Sequence, residues 1–253
     1  MRYLIDNIRN RFDFFLRNRI TFSRKNYSEK PQDLSEIICE QNDLYNYLRD
    51  KYDLKILENS TIKNFELNLY FLNLFDKYLA KNPIENFSVL DIGSKNWAYV
   101  KSEYVFFKSF AKEFSLIGIE LDAYRLYSNF YNRYEVAKFY IKDLPEAEYL
   151  AGDFMEHKRN YDRIIWSLPF ITEYPLVKWD LPLKYFKPEE MLLHAYSLLN
   201  DGGEMLIINQ GEEEYKIQQE LYKKTNLTFT PLGEIEDKLN IFKNKRFCSK
   251  VIK

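Results

Sequence analysis

Residues 87–97 read Phe-Ser-Val-Leu-Asp-Ile-Gly-Ser-Lys-Asn-Trp, and Gly93 within them is the first glycine of the chain. An apolar run that delivers an acidic residue, Asp91, and then a glycine is what the end of a buried strand looks like. In open α/β sheets ligands bind just beyond such strand ends, and a glycine there lets the backbone approach them closely. The same stretch divides the chain. Before it, residues 1–82 carry apolar positions at helical spacing; after it, residues 83–253 alternate short apolar runs with helical segments, the pattern of βαβ units and a parallel sheet.

Working outward, strands are expected at residues 87–92, 115–120, 148–151, 163–167 and 204–209, with helices at 99–114, 123–140 and 188–199. The last of these helices opens on Pro188 followed by Glu189 and Glu190, which suits a helix N-terminus. Residues 227–232 and 246–252 are expected to add an antiparallel pair at the sheet edge, for seven strands in all. Upstream, Leu4, Ile5, Ile8, Phe12, Phe15 and Leu16 mark a first helix. A second follows Pro31, with Asp33 and Glu36 as a capping-box pair ahead of Ile37, Ile38, Leu44, Tyr45 and Leu48. A third starts near Thr61, turns Phe65, Leu69, Leu72 and Leu79 inward, and stops before Pro83. The expected organisation is a helical N-terminal cap over residues 1–82 on an α/β domain over 83–253.

Composition narrows the function classes. At 253 residues the chain suits one full domain with an appendage, and 30% charged with 46% hydrophobic residues is ordinary for a soluble globular protein. A net charge of −1 supplies no global field toward nucleic acid or an anionic bilayer, so an electrostatic partner must be met by a local patch. Charge-free runs such as 67–75 and 164–172 fall far short of the ~20 apolar residues that span a bilayer. With no signal-peptide pattern at the N-terminus either, a cytoplasmic location without transmembrane segments is expected. Cys39 and Cys248 lie far apart with no second metal-ligand type beside them, so they are read as reduced and structural, and no metal site is expected.

Four segments, in this order and spacing, resemble the class I S-adenosylmethionine-dependent methyltransferases over roughly residues 84–253. They are Val89-Leu90-Asp91-Ile92-Gly93, Leu116-Ile117-Gly118-Ile119-Glu120, Tyr149-Leu150-Ala151-Gly152-Asp153, and the double-glycine turn Leu199-Asn200-Asp201-Gly202-Gly203-Glu204. The resemblance implies a Rossmann-like seven-stranded sheet and S-adenosylmethionine as cofactor. It places Asp91 and Gly93 at the cofactor turn, Glu120 on both ribose hydroxyls and Asp153 beside the adenine amino group. The family's turn carries two further glycines, where this chain has Lys95 and Trp97. Lys95 is either a partner for the cofactor's methionyl carboxylate or a solvated loop lysine; Trp97 either stacks at the pocket mouth or opens the following helix. A nicotinamide cofactor is disfavoured, since its pyrophosphate needs a G-x-G-x-x-G turn that is absent.

After Tyr161-Asp162-Arg163-Ile164-Ile165-Trp166 comes Ser167-Leu168-Pro169-Phe170. This tetrapeptide stands where amino-group methyltransferases carry Asp, Asn or Ser, usually Pro-Pro, and an aromatic residue. It is similar to the Asn-Leu-Pro-Tyr variant of the ribosomal RNA adenine dimethyltransferases, and phospholipid N-methyltransferases have a similar Ser-x-x-Pro. The physical sense is that a side-chain oxygen and a backbone carbonyl accept the hydrogens of an amine and aim its lone pair, while an aromatic face receives a planar group. The acceptor implied is an amino group of a small molecule, a nucleic acid or a lipid headgroup. The bland alternative is a strand end with Phe170 in the core. Residues 171–187 form a long connection of the kind that serves as a lid. His157 and His194 sit in unpromising contexts, which methyl transfer tolerates because it needs alignment more than a strong base.

Residues 1–30 hold eight arginines and lysines against three acids. On an amphipathic helix this is either a segment facing RNA phosphate or anionic lipid, or a helix packed on the core with an arginine-rich solvated face. Helices covering the open end of the sheet would help form the acceptor pocket. The altered glycine turn leaves a second reading of the whole chain open: a catalytically silent binding or scaffold module.

Overall fold

A computed structural model describes residues 2–20, 27–81 and 85–253. Seven strands form one sheet: β1 (Phe87–Ile92), β2 (Phe114–Glu120), β3 (Ala147–Ala151), β4 (Tyr161–Ser167), β5 (Leu199–Gln210), β6 (Phe229–Ile235) and β7 (Arg246–Ile252). Their order is β3-β2-β1-β4-β5-β7-β6, with β1 to β5 parallel and β7 antiparallel to both neighbours. The crossover places the C-terminal ends of β1 and β4 side by side, where a crevice opens between the two halves of the sheet.

Helices cover both faces. Phe87, Val89, Leu116, Ile165 and Leu206 turn to the face carrying α5 (Ile62–Tyr78), α6 (Val100–Lys108) and α7 (Arg133–Tyr140). Leu90, Ile92, Ile164, Trp166 and Ile207 turn to the other, under α9 (Pro188–Ser197) and α10 (Gly211–Lys224). This alternation, buried on both sides, is why the parallel strands read as continuous apolar runs. The N-terminal residues add α1 (Arg2–Arg19), α2 (Ser35–Glu40), α3 (Asn42–Arg49) and α4 (Lys55–Glu58), and α8 (Glu173–Lys178) lies in the long connection after β4. Leu44, Leu48, Leu57 and Leu69 share one apolar cluster with β1 and α6, so the front helices and the sheet bury a common core. The expected third helix is α5, which ends at Tyr78 with Leu79 as its C-cap, before Pro83, itself outside the described residues.

Several boundaries differ from expectation for identifiable reasons. Helix α7 starts at Arg133 rather than near Ala123, because Asn129 Oδ1 accepts the Tyr131 N–H and the chain turns back at a Leu126–Asn132 bridge. The capping box is Asn132 with Glu135. Asp33 instead accepts the Ser35 N–H and hydroxyl in a local turn, and the expected second helix breaks at Gln41 into α2 and α3. Helix α6 stops at Lys108, where the Ser109 hydroxyl binds the Phe106 carbonyl.

Two buried asparagines fix the helix behind the glycine turn. Asn64 and Asn68 of α5 donate to the Ala98 carbonyl at 2.6 and 2.9 Å, and Asn68 Oδ1 accepts the Ser102 N–H at 2.9 Å. Helix α5 thereby holds the first turn of α6 in place.

Candidate functional site

A cleft of ≈ 680 Å³ crosses the C-terminal ends of the strands. Gly93, Lys95, Glu120, Asp153, Ser167, Leu168, Pro169 and Phe170, all singled out in the sequence, line it. Asp91 does not: it is fully buried beneath the cleft floor. Helix α5 contributes Leu67, Tyr70 and Phe71 to the wall, so the N-terminal helices do roof part of this cleft.

The turn after β1 keeps the shape of a glycine turn without its glycines. Lys95 has φ 58° and Trp97 φ 49°, both left-handed, at the two positions where the resembling family has glycine. Each such non-glycine residue costs on the order of 1–3 kcal/mol, and it persists only where neighbours over-determine it. Here they do. The Lys95 N–H donates to Glu120 Oε2 at 2.8 Å, and its carbonyl accepts from the Tyr149 hydroxyl. Trp97 is wholly buried, so it neither stacks at the mouth nor opens the helix. Its indole lies across Gly118 of β2, where an added Cβ would come within 2.7 Å of the ring, and its Nε1–H donates to Glu103 at 2.8 Å. The glycine missing from the turn has in effect moved to the neighbouring strand.

Glu103 leads back to Asp91. Burial pushes Asp91 up to about 7, with the Glu120 charge adding, while Glu103, Tyr99 and Trp97 around it act the other way. Burial and the nearby Asp91 raise Glu103 well above the usual carboxylate range. Neither Asp91 oxygen makes a hydrogen bond of ordinary geometry, and the Ser94 hydroxyl on the cleft wall is likewise buried without a partner.

Glu120 is more committed than expected. Oε1 accepts the Asp122 N–H at 2.8 Å and Arg133 Nη1 at 3.2 Å, and Oε2 accepts the Lys95 N–H. A carboxylate offers about four acceptor positions, so roughly one remains for a ligand rather than the pair that two ribose hydroxyls would take. Arg133, which the sequence reading missed, is 3% exposed and sits at the first position of α7. A cation there opposes the helix dipole, and the carboxylates of Glu120 and Asp122 explain it. Above this network lies Trp179 of the β4–β5 connection, 5.4 Å from Lys95 Nζ and 5.0 Å from the Arg133 guanidinium. The lysine reaches cleft water yet is surrounded by protein, and this burial, with Arg133 nearby, lowers its pKa.

At the exit of β4, Leu168 has φ 61° and is, with Lys95, a left-handed non-glycine residue that lines the cleft. Its N–H bonds the Ile208 carbonyl at 2.7 Å, and no hydrogen bond engages Ser167 Oγ among the described residues. Phe170 packs edge-on to Trp179 with centroids 6.1 Å apart. The connection beyond is ordered as α8 and a short helical turn at Leu183–Tyr185, and Leu176, Trp179, Leu181 and Tyr185 from it line the cleft. Beyond Ser167 the cleft ends on Tyr70, Phe242, Gln210, Glu214 and Arg246. Burial raises Glu214 and lowers Arg246, whose guanidinium stacks on Phe242 at 4.6 Å. The histidines are occupied elsewhere: His157 with the Tyr161 hydroxyl, His194 with the Phe154 carbonyl. Both cysteines are free thiols, and no cluster of metal ligands occurs among the described residues. No helix among them is long and apolar enough to cross a membrane.

Among solved structures the chain is similar to an S-adenosylmethionine-dependent methyltransferase from Aquifex aeolicus, with TM-score 0.53 and 13% identity over 74% of this chain and 92% of that one. Two other similar structures are the precorrin-6y C5,15-methyltransferase of Geobacter metallireducens GS-15 (TM-score 0.47, 9% identity, 81% of this chain and 96% of that one) and the M. jannaschii tRNA m1G37 methyltransferase (TM-score 0.47, 14% identity, 80% and 52%). No family model and no curated protein sequence matches. The chain therefore has the class I S-adenosylmethionine-dependent methyltransferase fold.

Proposed function

We propose that this chain is an S-adenosylmethionine-dependent methyltransferase whose acceptor is an amino group, carried by a small molecule, a nucleic acid or a lipid headgroup. The observation that carries the reading is convergence: the strand-end residues Gly93, Lys95, Glu120 and Asp153 and the tetrapeptide Ser167–Phe170 line a single cleft.

The cleft fits the cofactor in most respects. Gly93 has open space where a Cβ would stand, Ser94 Oγ on the cleft wall is a buried polar group without a hydrogen bond, and Lys95 lines the same space. In this reading Lys95 meets the methionyl carboxylate, Glu120 a ribose hydroxyl, and Asp153 the adenine amino group. Glu120 fits least well, having room for one hydroxyl where the family pattern asks for two. When bound, the cofactor supplies an electrophilic methyl group on a sulfonium.

The protein's part is alignment. Ser167 Oγ and the Leu168 carbonyl accept the two hydrogens of the amine, which leaves its lone pair one direction to face. Phe170 and Trp179 give that amine an apolar, partly aromatic wall and exclude water. No general base is required of either histidine.

The test begins with labelled methyl transfer to a cell extract and mass spectrometry of the product. The expected result is methyl on nitrogen, with Ser167→Ala lowering turnover far more than cofactor affinity. Methyl on oxygen or carbon, or unchanged turnover in Ser167→Ala, would leave the tetrapeptide as no more than a strand end.

A further inference from the structure

Helix α1 lies on the fold the opposite way round from an ordinary amphipathic helix. Asn7, Asn10 and Arg17 face the protein, while Arg9, Arg11 and Arg19 are exposed. Asn10, 1% exposed, donates to the Val177 and Leu181 carbonyls, Asn7 Oδ1 accepts the Leu183 N–H, and Arg17 binds Asp122 at 2.6 Å and the Asp180 carbonyl at 2.9 Å. All these partners but Asp122 belong to the connection that walls the cleft, so α1 is strapped to the lid by hydrogen bonds to its backbone. Phe14 packs on Tyr185 of the lid with ring centroids 5.2 Å apart, but a stripe of apolar side chains faces out: Ile5, Ile8, Phe12 and Phe15 are 61%, 59%, 61% and 50% exposed, and Ile20 just beyond the helix is 59% exposed. The expected packed helix keeps its solvated arginines, Arg9, Arg11 and Arg19, but the side chains that fasten it are mainly polar and its apolar stripe is solvated alongside the arginines.

Charge decides what would cover it. The stripe recurs at i, i+3, i+7 and i+10, and at about 100° per residue Arg9 and Arg11 each border it about 40° outside, on opposite sides. Arg19 lies in line with the stripe, its guanidinium 4.7 Å from the Phe15 ring. Arg9 is 63% exposed, and though it touches Asp13 at 3.8 Å and Asp180 at 3.3 Å its charge stays at the surface. Arginines on both borders would repel one another if two copies of the stripe met face to face, and an RNA backbone offers nothing to the apolar centre. A surface with an apolar interior and anionic groups above it satisfies both parts.

We infer that α1 docks this protein onto anionic lipid surfaces, its apolar stripe entering the headgroup boundary and Arg9, Arg11 and Arg19 meeting lipid phosphates. The inference is independent of the methyl-transfer reading. Its consequence for the cleft is mechanical: a bilayer holding the outer face of α1 also holds the lid fastened to its inner face.

The experiment is co-sedimentation of the full chain with vesicles of phosphatidylcholine containing about one quarter phosphatidylglycerol, against phosphatidylcholine alone, at about 0.05 and 0.5 M salt. Binding to the anionic vesicles alone is expected, falling several-fold at high salt. The double variant Ile8→Asp/Phe12→Asp should bind at least about ten-fold more weakly. Arg11→Glu/Arg19→Glu should lose the salt dependence. All four side chains are exposed, so both variants should melt as the parent does, which separates lost docking from lost folding. Three results would overturn the inference. They are no binding to anionic vesicles, a dimer by light scattering that Phe12→Asp dissociates, and salt-sensitive RNA binding that survives Ile8→Asp/Phe12→Asp without vesicle binding.

Discussion

The two ends of this sheet are built by different rules. At the end where the parallel strands begin, polar groups are matched. Asp162 accepts the Ser88 N–H and hydroxyl and the Asn200 amide, all at 2.8 Å, and Arg163, 2% exposed, meets Glu204 at 3.1 Å with Lys250 on the other Glu204 oxygen at 2.7 Å. Left-handed residues there are Asn86 and Gly202, types that accept the conformation readily. At the other end Lys95, Trp97 and Leu168 are left-handed, and Asp91, Ser94 and Tyr70 are buried with unsatisfied oxygens. Left-handed backbone at residue types that resist it, Lys95, Trp97 and Leu168, gathers at one end and marks that end as the working one.

The contrast is broken most severely at the quiet end. Arg163→Ala removes one of the two cations on the buried Glu204 and leaves Lys250 on the other oxygen, so it should cost about 3 kcal/mol of stability, the low end for breaking a buried pair, measured by denaturant unfolding, while the folded fraction keeps its affinity for S-adenosylmethionine. A milder loss with weaker cofactor binding would show that the two ends are not separate.

At the cleft end, the Asp91–Glu103 pair ties stability to pH. Both folded-state pKa values are raised, Asp91 to about 7 and Glu103 well above the usual carboxylate range, chiefly by burial. Such acids contribute fully below the unfolded carboxylate range, about 4, and the contribution fades as pH rises through the folded values. Unfolding free energy should therefore decline between about pH 5 and pH 8 in the parent, and decline less in Asp91→Asn. Equal slopes in the two proteins would remove the pair from the explanation.

The exchange of glycine between turn and strand gives a smaller effect. Gly118→Ala forces a methyl group into the Trp97 ring and should destabilise by about 1–3 kcal/mol. Shortening the tryptophan opens that space, so Gly118→Ala should cost less in a Trp97→Leu background, a coupling visible in a double-mutant cycle. Smallest of all is Lys95→Gly. Relief of the left-handed residue is partly cancelled by the unfolded-state entropy of glycine, leaving a gain of at most about 1 kcal/mol. Cofactor affinity should fall in the same variant if the ammonium meets the methionyl carboxylate.

Much of this was legible in the sequence because strand ends announce themselves. An apolar run closed by an acid and a glycine places Asp91 and Gly93, Glu120, and Gly152 and Asp153 at strand termini without knowledge of packing, and eight of the nine residues picked out do line the cleft. The partners of those residues were not legible. Arg133 carries no local signal except being a cation at a helix N-terminus, and Trp97 makes sense only beside Gly118, a contact across two elements. Periodicity found the stripe on α1 but not which side of the helix the protein covers. That depended on Asn7 and Asn10 finding lid carbonyls and amides far along the chain.

The strained end of the sheet is proposed to hold S-adenosylmethionine. Calorimetric titration of the cofactor into the parent chain and into Glu120→Gln tests it most directly, since the amide keeps the shape of the side chain while giving up the charge that a ribose hydroxyl would meet. Hydrogen bonds to charged groups contribute about 1.5–3 kcal/mol, so the parent should release binding heat and the variant should bind roughly ten- to a hundred-fold more weakly. Absence of heat and of thermal shift at about millimolar cofactor, or equal affinity in the two proteins, would contradict it.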